Sequence, residues 1–131
     1  MKAVFLNTSS REIRVVDIED RLDVFYEMIG CSTIEIPRRF IGKKLYSIIC
    51  DEEATFVKDP VPSMIDHKGN ILILGSLIVC GEPDEEGNLT SLTEEDIERI
   101  RWNVAWGSTE KHANIPLIVG SYFLNSEEEV S

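Results

Sequence analysis

Four basic side chains crowd into a short stretch of an otherwise acidic sequence, where they could bind an anion. They are four of the thirteen Lys and Arg residues and fall within seven positions. A guanidinium group fits phosphate through two parallel hydrogen bonds, and a nearby aromatic ring can stack on a nucleobase. The stretch predicts a site for an anionic nucleotide, formed by Arg38, Arg39, Phe40, Lys43, Lys44 and Tyr46. The alternative is a solvated hairpin end whose cations pair with the protein's own acidic residues.

Two tryptophans and two arginines lie close together later in the sequence. Trp102 and Trp106 are interleaved with Arg99 and Arg101. Tryptophan and arginine dominate interface hot spots, so the group predicts a surface that contacts a partner or stacks on a base. The alternative places the tryptophans in the core against the sheet, and this is the better expectation for one of them. If the other is exposed, a homo-oligomer is a reasonable expectation.

The motifs of acyl, phosphoryl and hydride chemistry are absent from the sequence. There is no GxSxG, GxGxxG, P-loop or HExxH pattern, and His67 and His112 are the only two histidines. These reactions need a nucleophile with a base, a phosphate-cradling loop or a metal cage. We therefore expect a protein that is not an enzyme, with no catalytic residue and no cofactor.

Metal binding is also not expected. The acidic residues 51–53 could form a cation site with His67, but the spacing matches no established loop, and a solvated strand end is preferred. Cys31, Cys50 and Cys80 are widely spaced and contain no CxxC pair. They predict small buried thiols in a reducing compartment rather than a disulfide or a zinc site.

The charge is strongly negative and unevenly distributed. The net charge is −11; residues 1–50 hold 8 Lys and Arg against 7 Asp and Glu, and residues 51–131 hold 5 against 17. Such a chain is repelled by phosphate backbones and anionic lipids, so we expect no bulk nucleic-acid binding and no membrane association. The sequence shows neither a membrane-spanning apolar run nor a signal peptide, which predicts a cytoplasmic protein.

The first third of the sequence predicts a β-hairpin followed by a helix. Residues 3–6 and 13–16 are β-branched or aromatic and flank a polar turn. Apolar residues then recur at helical spacing over 18–29, with Asp17 placed to cap the helix and Gly30 to end it.

A second hairpin and a long loop are expected next. Residues 33–36 and 45–50 resemble strands, and residues 37–44 join them as a basic tip. Residues 51–69 show no sustained periodicity and predict an ordered loop. Residues 71–80 then predict a buried strand that is bent at Gly75.

A second helix should run over residues 94–106. Thr93 and Asp96 match a capping box, and Gly107 is placed as a helix stop. A last strand is expected over 117–123, and residues 125–131 form an acidic tail expected to be mobile. Together the segments predict a single α+β domain over residues 1–131, with an antiparallel or mixed sheet of about five to seven short strands packed by two amphipathic helices.

The order of these features resembles a small domain family of unknown function from phages and conjugative elements, mainly of Gram-positive bacteria. The resemblance rests on the opening residues 1–4, the acidic run 51–53, the proline-bearing loop, and segments 74–81 and 88–92. It covers most of residues 1–105 and brings no assigned activity. It implies an accessory protein that blunts a host defence by binding.

Two hypotheses follow from the residues and the resemblance together. The first is a non-catalytic protein that sequesters an anionic, cyclic nucleotide signal at the basic tip. The second is a protein inhibitor or DNA mimic that binds a host nuclease or CRISPR effector. Its carboxylates would come from residues 82–86, 94–98 and 127–129.

Overall fold

Residues 46–50 are consecutive buried positions in a strand that is covered on both faces. The computed structural model describes residues 1–124, and within them two helices, one short 3₁₀ helix and ten strands form two sheets. Their bounds are β1 Lys2–Asn7, β2 Glu12–Asp17, α1 Leu22–Ile29, β3 Ile34–Glu35, β4 Arg38–Ile41, β5 Lys44–Asp51, the 3₁₀ helix Ala54–Phe56, β6 Pro62–Ile65, β7 Ile71–Leu74, β8 Leu77–Cys80, α2 Glu94–Trp102, β9 Val104–Gly107 and β10 Ile115–Val119.

The first sheet has six strands and lies at the centre of the fold. Its strands run in the order β2-β1-β8-β5-β3, with β4 also paired to β5. Side chains alternate between the two faces of a strand, so Phe5 and Ile49 pack with Phe25 of α1 on one face. Leu6 and Ile48 belong to the main core on the opposite face. Both faces are therefore covered.

The second sheet has four strands and contributes to the main core together with α2. Its order is β7-β6-β10-β9, and β10 pairs parallel to β6 and antiparallel to β9. Met64 and Ile118 of this sheet join Ile97 and Ile100 of α2 in the main core. The expected α+β class with mixed and antiparallel sheets is confirmed.

Three boundaries in the first half differ from the sequence-based expectations. Helix α1 starts at Leu22, and Asp17 does not cap it because Asp17 ends β2 and accepts a hydrogen bond from the N-terminal ammonium at 2.9 Å. Gly30 does end the helix in the left-handed region, at φ 78°. The basic tip contains strand β4, and the expected 51–69 loop contains the 3₁₀ helix and β6.

In the second half, residues 71–80 bend as expected but serve two sheets. Gly75 has φ 82°, and it separates β7 of the second sheet from β8 of the first. A glycine tolerates this conformation because it has no Cβ. The bend therefore carries the chain from one layer to the other.

The prediction that helix α2 reaches residue 106 is wrong. The helix ends at Trp102, and Asn103 caps it by donating from its backbone N–H to Ile100 O at 3.0 Å and from Nδ2 to Arg99 O at 2.8 Å. Val104 then begins β9, and the backbone of residues 104–107 pairs with β10 instead of continuing the helix. Gly107 consequently ends a strand and is not a helix stop.

The last strand spans Ile115–Val119, earlier than expected, and the acidic tail 125–131 lies outside the described residues. No helix within residues 1–124 is long and apolar enough to cross a membrane.

Candidate functional site

The basic tip is a tight hairpin whose side chains are divided between two faces of the central sheet. Strands β4 and β5 pair antiparallel, and Gly42 adopts φ 63° in the turn between them, next to Lys43. Because side chains alternate along a strand, Arg39 and Lys44 lie on the main-core face while Arg38 and Phe40 lie on the other. The cations of the tip therefore do not converge on one position.

A buried carboxylate, Asp96, binds the part of the tip that lies on the main-core face. Asp96 is 2% exposed, and its Oδ1 accepts hydrogen bonds from Lys44 Nζ at 2.7 Å, Tyr46 OH at 2.7 Å and Arg99 Nη1 at 3.1 Å. Its Oδ2 accepts from the backbone N–H of Thr93 at 2.8 Å, and Thr93 Oγ1 accepts from the backbone N–H of Asp96. The predicted capping box is thus confirmed, and the same carboxylate fastens α2 to β5.

These contacts shift the pKa values of two buried groups, the carboxyl of Asp96 and the hydroxyl of Tyr46. Burial alone would raise the pKa of Asp96, but hydrogen bonds from Lys44, Thr93 and Tyr46 outweigh it and hold that pKa well below its usual value. Burial, followed by the hydrogen bond to Asp96, raises the pKa of Tyr46 to about 12. Asp96 therefore stays charged and Tyr46 neutral at physiological pH.

The stacking role predicted for Tyr46 is wrong, because its side chain is fully buried. Its exposed fraction is 0%, and its hydroxyl also accepts a hydrogen bond from Arg99 Nη1 at 2.7 Å. Its parity along β5 matches that of Ile48, which faces the main core. Arg99 is likewise occupied with Asp96 and Tyr46.

The remaining tip residues also have neighbours within the chain. Arg38 forms an ion pair with Glu82 at 3.4 Å, and both side chains are about half exposed. The Arg39 guanidinium lies 4.1 Å from the ring centre of Tyr122, and its Nη1 donates to Arg38 O. Phe40 is half-buried, and its backbone pairs with Ser121. Most of the tip's cations are thus engaged by the protein's own groups.

Both tryptophans are exposed, so the expectation that one of them lies in the core is wrong. Trp102 is 84% exposed and Trp106 is 65% exposed. The core positions of α2 are taken by Ile97 and Ile100, which leaves Trp102 at the end of the helix on its outer side. The early end of α2 places Trp106 in an edge strand instead.

Trp106 lies at the mouth of an apolar cleft of about 340 Å³. The cleft separates the β1–β2 hairpin from α2 and β9, and its walls include Val15, Ile97 and Val104. Arg101 lines it and pairs with Glu98 at 3.4 Å. Arg14 lines the cleft as well, but its guanidinium lies over Phe5 on the opposite face of the sheet.

Trp102 lies on an acidic surface of α2. It borders a shallow depression together with three glutamates of the helix, and the first turn of α2 carries Asp96 in addition to two of them. We call these exposed groups the tryptophan face, formed by Glu94, Glu95, Glu98, Arg101, Trp102 and Trp106. It combines large apolar side chains with negative charge that is partly paired, since Glu94 accepts from Lys2 Nζ at 2.9 Å and Glu98 pairs with Arg101.

Comparison with known protein families assigns the chain to a family. Residues 1–105 match a domain of unknown function, DUF3846. The chain belongs to this family. The match confirms the resemblance to a domain family of unknown function. The basic tip, α2 and Trp102 lie within the DUF3846 match, and Trp106 and β10 follow it. No curated protein and no solved structure matches the chain.

Other reactive groups are spread over the fold. Cys50 and Cys80 are buried, Cys31 is half-buried, and all three are free thiols. Within residues 1–124, no three His, Cys, Asp or Glu side chains gather in a group that could hold a metal ion.

Sequence reasoning missed the aromatic pair that follows β10. Tyr122 and Phe123 are both exposed, with ring centres 6.5 Å apart. The sequence placed them in the last strand, where a buried position is expected for aromatic residues. The strand in fact ends at Val119, before both residues, and Gly120 is the sequence signal from which that end could have been predicted.

Proposed function

We propose that this chain is a non-catalytic binding protein, an accessory factor of a phage or conjugative element that acts in the cytoplasm of a bacterial host. It docks through the tryptophan face onto a basic surface of a host defence protein, such as a nuclease or a CRISPR effector. The observation that carries the proposal is the exposure of Trp102 and Trp106, one on an acidic helix surface and one beside an apolar cleft.

The energetics of exposed tryptophan support a protein partner. Replacing a tryptophan at the centre of an interface by alanine typically costs about 2 kcal/mol or more of binding free energy. Alanine scanning finds such residues at the centres of interfaces. The apolar walls of the cleft suit an inserted aliphatic or aromatic side chain better than a phosphate.

The charge around the tryptophans indicates what kind of partner fits. Glu94, Glu95 and Glu98 border the depression at Trp102, and the region from residue 51 onward carries 17 acidic residues against 5 basic ones. Charge complementarity raises association rates and disfavours partners of like charge. A basic groove that normally holds nucleic acid has the required chemistry.

The state of the titratable groups supports a non-catalytic role. Burial raises the pKa of the Cys50 and Cys80 thiols to about 12, which removes the thiolate that a cysteine nucleophile requires. The carboxylate of Asp96 is occupied by the hydrogen bonds that fix α2 to β5. His112 is hydrogen-bonded to the backbone of Asp59.

The test compares capture of host proteins by the immobilised chain and by a Trp102→Ala/Trp106→Ala variant. Phe56→Ala is the matched control, because Phe56 is an 82% exposed aromatic side chain outside the tryptophan face. We expect a basic protein that wild type and the Phe56 variant retain, that the double variant loses, and that salt releases. Binding would then be measured with that protein in purified form.

Two results would contradict the proposal. One is that every protein captured by wild type is captured equally by the double variant. The other is a concentration-dependent homodimer that the double variant abolishes, because the tryptophan face would then be covered by a second copy. Sedimentation of wild type and variant distinguishes this case.

A second candidate function is capture of an anionic nucleotide signal near the basic tip. It is favoured by Arg38, whose surface ion pair with Glu82 at 3.4 Å is weak enough to be exchanged for a phosphate, and by the stacking of Arg39 on Tyr122. The test is the melting temperature with linear and cyclic nucleotides. A ligand at about 100 times its Kd adds roughly 2.7 kcal/mol to the stability of the folded state.

A further inference from the structure

A second cavity borders Tyr122, the ring on which Arg39 stacks, and it is separate from the tryptophan face. Its volume is about 210 Å³, and it opens between the turn at residues 66–70 and the segment that follows β10. Tyr122 and Phe123 line one side, and His67 and Lys68 line the other. Two aromatic rings therefore face two side chains that can carry positive charge.

The turn that forms one wall is fixed by its own carboxylate. Asp66 Oδ1 accepts hydrogen bonds from the backbone N–H groups of Lys68 at 2.9 Å and Asn70 at 2.8 Å, and Oδ2 accepts from Asn70 Nδ2 at 3.0 Å. The hydrogen bonds from Asn70 lower the pKa of Asp66. Asp66 therefore stays ionised, and its carboxylate is held by the turn's own donors.

The opposite wall is fixed to one strand of each sheet. Ser121 exchanges backbone hydrogen bonds with Phe40 at 2.9 Å, and Gly120 donates to Ile65 O at 2.8 Å. One face of the Tyr122 ring is covered by the Arg39 guanidinium, whose Nε is buried without a hydrogen-bond partner among residues 1–124. The stack holds the tyrosine ring in place at the cavity.

The groups that face the cavity are available to a ligand. Within the described residues 1–124, neither His67 nor Lys68 has its side chain in a hydrogen bond or an ion pair, and Phe123 is 76% exposed. Aromatic side chains form stacking platforms for planar rings, and an ammonium group binds phosphate as a point charge.

We infer that this cavity is a subsite for a mononucleotide, whose phosphate binds Lys68 and His67. Its base stacks on Tyr122 and contacts Phe123, because the two rings are tilted by 52° and cannot both stack on one planar base. A volume of about 210 Å³ is below the roughly 300 Å³ at which pockets enclose whole small ligands, so the base is covered and the sugar stays at the surface. The inference deepens the second candidate function and rests on it, and it is independent of docking through the tryptophan face.

The experiment measures binding of adenosine 5′-monophosphate to the 131-residue chain by calorimetry, with adenosine and inorganic phosphate as partial probes. Lys68→Glu and Tyr122→Ala test the two halves of the subsite. Lys58→Glu is the matched charge control, since Lys58 is exposed and does not line the cavity. Arg38→Glu tests the tip itself, because Arg38 lies on the other face of the sheet.

We expect the monophosphate to bind more tightly than either partial probe, with affinity reduced about tenfold or more by Lys68→Glu and by Tyr122→Ala. Lys58→Glu should leave the affinity unchanged. Because Lys68 makes no side-chain contact that folding requires, its variant tests the site even if Tyr122→Ala destabilises the chain. Binding that Arg38→Glu abolishes and the cavity variants preserve would overturn the subsite while leaving nucleotide capture intact. Absence of adenosine 5′-monophosphate binding would overturn the subsite, whereas nucleotide capture itself would be contradicted only if the melting temperature also failed to respond to linear and cyclic nucleotides.

Discussion

At the scale of single residues, Asp96 decides what the basic cluster can do. Lys44, Tyr46 and Arg99 all donate to the same carboxylate oxygen, which is buried. A buried charge is tolerated only when it is paired and hydrogen-bonded, so these donors stabilise the fold and are engaged by Asp96 rather than by a ligand. The cluster that suggested a phosphate site is in part a structural site for the protein's own anion.

Replacing Asp96 by Asn should destabilise the fold by about 2–3 kcal/mol. The change removes the charge that Lys44 and Arg99 neutralise, and hydrogen bonds to charged groups contribute about 1.5–3 kcal/mol each before partial exposure of the partners is considered. Urea unfolding at pH 7 measures the loss. Glu98→Gln is the control, since the exposed Glu98–Arg101 pair contributes little. Equal stability of the two variants would contradict this structural role for Asp96.

The stability contributed by Asp96 should depend on pH. Because its folded-state pKa is lowered, its contribution is present above the unfolded-state pKa of about 3.9 and is lost as the pH falls below that value. The difference in unfolding free energy between wild type and Asp96→Asn should therefore be constant from about pH 7 to pH 5 and shrink at pH 3. A difference that is the same at pH 3 and pH 7 would show that the charge of Asp96 is not responsible.

Only part of the site around Asp96 could be predicted from the sequence. The capping box at Thr93 could be read locally, and the burial of Tyr46 follows from the alternation of β5, since it shares parity with Ile48. The pairing of Lys44 with Asp96 could not be read, because the two residues are 52 positions apart and only the packing of α2 on the sheet brings them together.

At the scale of elements, local signals predicted the turns of the chain well, but they located the end of α1 and not its start, and the start of α2 and not its end. Gly30, Gly42 and Gly75 all adopt the left-handed conformation at the turns or bends where the sequence placed them. The end of α2 depends instead on a competition for residues 104–107, which could continue the helix or pair with β10. That competition is decided by a strand that lies about ten residues further along the chain.

The start of α2 provides a prediction at this scale. Thr93→Ala removes the hydroxyl that accepts from the backbone N–H of Asp96 at 3.1 Å, and loss of such a cap costs about 1 kcal/mol. Thr93→Ser keeps the hydroxyl and should remain within a few tenths of a kcal/mol of wild type. Urea midpoints at constant m-value measure both changes. If the serine variant were as unstable as the alanine variant, the methyl group rather than the cap would be responsible.

At the scale of the whole molecule, the two sheets and α2 share one core, although the family match ends inside β9. The main core joins Leu6 and Ile48 of the central sheet to Met64 and Ile118 of the second sheet. Composition and periodicity were enough to predict one α+β domain. They could not predict that its strands divide into two sheets, because β6 and β10 meet through a parallel pairing between distant segments.

The shared core predicts that the segment beyond the family match belongs to the same folding unit. A chain that ends at residue 105 lacks β10, the strand between β6 and β9, and with it the buried side chains of Ile115, Leu117 and Ile118. Each of these contributes about 1.5–3 kcal/mol by burial, and the sum is comparable to the roughly 5–15 kcal/mol that stabilises a whole domain. Its removal also uncovers Met64.

We therefore expect the chain of residues 1–105 to show no cooperative unfolding transition, whereas the chain of residues 1–131 unfolds in a single step. Circular dichroism during thermal and urea unfolding measures this. Two isoleucine substitutions make the comparison sharper: Ile118→Ala, at a fully buried position, should cost about 2–5 kcal/mol, and Ile71→Ala, at an exposed one, should cost much less. A cooperative transition in the shortened chain would mean that the central sheet and its helices fold without the second sheet, and that β10 and Trp106 form an addition to the domain rather than a part of it.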